Sequence, residues 1–109
     1  MVRKPERTLE TYLKAGAMMR LYKTLGTKMV TEMSRVLPAS DTRKLMLAME
    51  KIDEACSKAD DNMFHDHPEL PDKYIDVFYG YIDGKPRNDV DEKVRSIARE
   101  AADELFERT

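Results

Sequence analysis

An all-α fold, a small bundle of about four helices, is predicted by two observations. Apolar residues recur at spacings of three and four along most of the 109-residue chain, and Gly, Val and Ile are comparatively scarce, with four glycines in all. Sparse glycine and few β-branched residues favour helix over sheet. A three-to-four spacing gives a helix one apolar side to bury. The length is that of one helical domain, residues 1–109, able to bury a modest core without metal or disulfide staples.

The first helix is expected from about Pro5 to Leu37, with Pro5 in the opening turn, where its missing backbone donor has no consequence, and Pro38 ending it. Its apolar face changes direction near Gly16. Leu9, Leu13, Gly16 and Ala17 gather on one side, whereas Met18, Tyr22, Leu25, Met29, Met33 and Val36 gather on nearly the opposite side. Three arrangements satisfy this pattern: a break near Gly16, a second interface formed by the first turns, or a helix buried around much of its circumference. The methionines of the second stripe, Met18, Met29 and Met33, read as core, the alternative being a flexible surface for partner helices. Gly16 and Gly26 each weaken a helix by about 1 kcal/mol relative to Ala, and only Gly16 coincides with the change of face.

A second helix follows, with Ser40 or Asp41 as its cap and Leu45, Ala48, Met49, Ile52, Cys56, Ala59 and Met63 on one stripe. It should stop before Pro68. Arg43, Lys51, Glu54, Lys58 and Asp61 form its opposite face, where Leu47 is an exception. A third, shorter helix is expected from Pro71, burying Leu70, Tyr74, Val77, Phe78 and Tyr81, with Gly84 as its stop. The last begins at Asn88 or Asp89. There Asp89 and Glu92 resemble a capping box, and Val90, Val94, Ile97, Ala98, Ala101 and Leu105 make the buried stripe.

Composition narrows the function classes. An apolar fraction of 41% beside a charged fraction of 37% describes a water-facing globular chain. No run is long enough to span a bilayer and no secretory leader is evident, so the expected location is the cytoplasm and no membrane partner is expected. The single cysteine, Cys56, lies on an apolar stripe and reads as a small core residue. Net charge is −2 but uneven: residues 1–37 hold eight Lys or Arg against three Glu, and residues 38–109 hold eleven against eighteen acids. Such asymmetry either steers an anionic partner or knits the first helix onto its own acidic domain.

No pattern specifies a reaction. His65 and His67 sit among Asp60, Asp61, Asp66 and Glu69, but His-x-His at a helix end lacks the spacing that puts two imidazoles on one face. No metal and no cofactor are therefore expected. The carboxylates of Glu50, Asp53 and Glu54, and of Glu100, Asp103 and Glu104, lie away from the apolar stripes and read as solvated. There is no glycine-rich phosphate loop and no nucleophile signature.

The reading reached is a non-enzymatic helical module that binds protein, a second copy of itself among the candidate partners. The docking residues are Leu9, Tyr12 and Leu13 on the misaligned first turns, and Tyr79, which points away from the other aromatics of its segment. The alternative is a small regulator that contacts nucleic acid through Arg20, Lys23, Lys28 and Arg35, which are interleaved with Thr24, Thr27, Thr31 and Ser34.

Overall fold

A computed structural model describes residues 7–106 of the chain. Among them are three α-helices and no strand: α1 spans Leu9–Met33, α2 Ala39–Asp66 and α3 Asp89–Phe106, with a single 3₁₀ turn at Asp72–Tyr74. The all-α class holds, with three helices in place of about four.

Thr8 opens α1, its hydroxyl accepting from the Thr11 amide at 3.2 Å; Pro5 lies outside the described residues. The helix runs through Gly16 without a break. Glycine stands there because the chain beyond the 3₁₀ turn presses against α1. A Cβ on Gly16 would lie 2.5 Å from Val77 Cγ1 and 2.6 Å from the Val77 carbonyl oxygen.

Pro38, in extended conformation at ψ 156°, precedes α2 and takes the cap position expected of Ser40 or Asp41. Asp41 falls instead in the first turn, where the helix dipole favours an acid. The short connection makes α1 and α2 antiparallel neighbours. They come close where a Cβ on Gly26 would lie 2.7 Å from the Met49 methyl. Cys56 and Met63 are buried on the predicted stripe of α2, whereas Ala48 is exposed.

The third helix does not form. Val77 and Phe78 are fully buried as expected, but from irregular backbone, and Tyr81 faces solvent. A helix would need the Val77 and Tyr81 carbonyls for its own ladder, and the Arg20 guanidinium donates to both at 3.0 Å, as well as to the Asp76 carbonyl at 2.5 Å. Downstream, Gly84 adopts φ +81°, a left-handed conformation that favours glycine.

At α3 the cap is Asn88, whose side-chain oxygen accepts from the Asp91 amide at 2.8 Å. Asp89 makes no capping box with Glu92; its carboxylate receives Lys73 at 3.2 Å. Val90, Val94 and Ala98 are buried as predicted, while Leu105 is exposed.

The buried apolar core joins Tyr12, Leu13 and Ala17 of α1, Cys56 and Met63 of α2, Val77 and Phe78, and Val90, Val94 and Ala98 of α3. It therefore draws only on the first half of α1 and the second half of α2. The remaining halves extend past it as a two-helix arm, in keeping with extents of 47 × 32 × 29 Å.

Candidate docking surface

The face change in α1 is resolved in the opposite sense to a core-facing methionine stripe. The first turns are enclosed: Tyr12 and Leu13 are buried, and Leu9 is half-buried against the core. The Tyr12 hydroxyl donates to the Asp66 carboxylate, Arg7 Nε donates to the same carboxylate at 2.8 Å, and the His67 ring meets Tyr12 edge-on at 5.9 Å. Burial, then the bond to Asp66, raises the Tyr12 hydroxyl above its ordinary pKa. Tyr79 is part-exposed elsewhere, with the Lys23 ammonium 5.3 Å from its ring centre. Leu9, Tyr12, Leu13 and Tyr79 thus form no common surface, and the N-terminal turns are already covered by their own chain.

The basic face is likewise divided. Arg20 is 2% exposed and turns inward, its Nη1 2.6 Å from Asp91 Oδ1. Lys23 pairs with Asp53 at 3.2 Å and Arg35 with Glu32 at 3.4 Å, while Lys28 faces solvent. Asp91 also accepts the Arg87 amide at 2.9 Å, and its second oxygen lies 3.2 Å from Arg95 Nε without the alignment of a hydrogen bond. Burial pushes the Asp91 carboxyl upward, but the Arg87 amide and the two guanidinium groups outweigh it and hold the pKa below the usual value. Much of the charge asymmetry in the sequence is internal, since Arg7, Arg20 and Lys23 meet Asp66, Asp91 and Asp53.

Half a helical turn from Leu13, Gly16, Ala17 and Arg20, the outer side of α1 is apolar and open. Met18, Tyr22 and Leu25 are each more than half exposed, and Met29 continues the line; Val36, also exposed, lies in the turn after α1. The spacing of four, three and four from Met18 to Met29 is the a/d repeat of a coiled-coil seam, which keeps one narrow stripe in line along a helix. A run in register differs from the scattered apolar groups normal on any surface. Periodicity and the antiparallel pairing place exposed Ala48 and Ala55 of α2 beside this stripe, leaving a low floor next to a methionine and tyrosine ridge. The other side of the arm carries a hollow of ≈ 300 Å³ among Lys23, Thr27, Thr31, Asp53, Val30, Met46 and Met49.

The remaining chemistry is sparse. Burial raises the Cys56 thiol, the reverse of nucleophile activation. Among the described residues no three His, Cys, Asp or Glu side chains converge as a metal set, and His67 Nε2 lies 3.1 Å from the Arg7 carbonyl oxygen. No helix there is long and apolar enough to cross a membrane. Comparison with protein-family models, curated proteins and solved structures yields no match.

Sequence reasoning missed the stripe as a surface because a methionine row at helical spacing is more often core. A signal was present in the opposite face, where the small residues Gly16 and Ala17 suit close packing.

Proposed function

We propose that the chain is a non-enzymatic helical module that binds protein through the outer side of α1. The observation supporting this reading is the heptad-spaced line of Met18, Tyr22, Leu25 and Met29, apolar and open to solvent. Burying such a line in a partner groove or on a partner helix is the usual helix-in-groove mode of recognition. Nucleic-acid binding is the weaker reading, because Arg20 is consumed by Asp91 and Lys23 by Asp53. Self-association through Leu9, Tyr12 and Leu13 loses its surface to the core.

The test compares affinity capture by the wild-type chain and by Leu25→Glu/Met29→Glu, after circular dichroism shows equal helicity. A protein retained by the wild type and lost by the variant supports the reading. Identical captured sets overturn it.

A further inference from the structure

We infer that the occupant of the α1 outer stripe is an amphipathic helix with acidic flanks; this rests on the protein-binding reading above. The argument is charge complementarity. Lys14 and Lys28 of α1, with Arg35 in the turn that follows it, lie along the far edge of the stripe beside Glu10 and Glu32, which are engaged by Lys93 and Arg35, while Lys44, Lys51 and Lys58 repeat every seven residues along the opposite edge on α2. All six cations are exposed. Of these, only Arg35 and Lys44 have an acid within ion-pair distance among the described residues, Glu32 at 3.4 Å and Asp41 at 3.6 Å. Lys14, Lys28, Lys51 and Lys58 are left without one on the borders of an apolar floor.

Cations at both edges of a helical seam set partner choice by the charges they meet. A second copy of the chain fits badly. In either two-fold face-to-face arrangement, α1 on α1 or α1 on α2, a lysine edge meets another lysine edge, and like charges in that position oppose pairing. A helix with Leu or Ile on one side and Glu or Asp on both shoulders meets the floor and both borders together. A flat anionic membrane is the poorer match, because the stripe has no Trp or Phe to insert.

The experiment selects from a displayed library of helical peptides, with a fixed Leu seam and random flanking positions, against the immobilised full chain. A parallel selection uses Lys51→Glu/Lys58→Glu, whose folding is checked by its melting curve. The expected result is enrichment of Glu and Asp at the flanks on the wild type. Selected peptides should bind the wild type about tenfold more tightly than the charge-reversed chain, as two or three surface pairs would give. The difference should shrink as salt is added. Selected helices without acidic bias overturn this inference and leave the protein-binding reading standing. If no helix is enriched, or if phosphatidylserine vesicles bind in its place, the helix partner is overturned. A dimer in light scattering that Leu25→Glu abolishes would assign the face to a second copy and equally overturn it.

Discussion

Arg20 of α1 and Asp91 of α3 form an ion pair at 2.6 Å inside the protein, with Arg20 also donating to the Asp76, Val77 and Tyr81 carbonyls. One guanidinium thereby fastens α1, α3 and the irregular segment that stands where a third helix was expected. Gly80 leaves room for it, since a Cβ there would lie 2.5 Å from the guanidinium carbon.

Arg20→Leu should be severely destabilising. It leaves the Asp91 carboxylate short of its main partner and strands the Val77 and Tyr81 carbonyls, a loss of about 3–5 kcal/mol. Replacing Asp91 as well, in Arg20→Leu/Asp91→Leu, should recover part of that loss, because no uncompensated charge remains. Urea unfolding of the three proteins measures it; a double variant as weak as the sum of both single changes would contradict the coupling.

Asp91 also sets an acid limit. Its folded-state pKa lies below the ordinary Asp value, so its contribution to stability is complete above that value and is lost as pH falls through the depressed one. Carbon NMR of the side-chain carboxyls should place the Asp91 midpoint below the ordinary Asp value, with unfolding setting in as Asp91 takes up its proton. A midpoint at or above that value would refute this.

Asp60 has the opposite sign. Burial, then the charges of Asp61 and Asp76, raises its pKa, and one of its oxygens is buried with no hydrogen-bond partner. A raised carboxyl loses stability as pH climbs from the ordinary Asp range to the raised value, and the penalty is complete above it. Asp60→Asn should therefore stabilise at neutral pH by about 1 kcal/mol, or ~4–8 °C in Tm. The gain should fade in acid, and thermal melts at both pH values test it.

The two helical glycines of α1 should respond differently to alanine. Gly16→Ala drives a methyl into the Val77 backbone, which is held by Arg20, and should cost about 1–3 kcal/mol. Gly26→Ala meets only the mobile end of Met49, and a helix gain of about 1 kcal/mol should make it neutral or stabilising. Thermal melts of the pair decide it; equal losses would contradict the packing at Gly16.

Much of the fold was legible locally. Val90, Val94 and Ala98 and the Cys56 and Met63 side of α2 each follow from short-range spacing, whereas α1 ends at Met33, ahead of the expected stop at Pro38. The cap of α3 was narrowed to two neighbours, and geometry selected Asn88. The outer stripe of α1 was visible as a pattern but read as core, whereas it is exposed. Periodicity reports that two apolar faces exist on α1 and is silent on which one another element will cover.

The residue spacing alone therefore defined an all-helical chain, the turns of its main helices and the two opposed apolar faces of α1. Which of those faces is hidden, and that residues 75–88 fold irregularly, depended on contacts between residues more than fifty positions apart. A charged side chain such as Arg20 can enter a core only when a distant carboxylate and a set of free carbonyls meet it there. That condition is a property of the packed chain, so no local reading of α1 contains it.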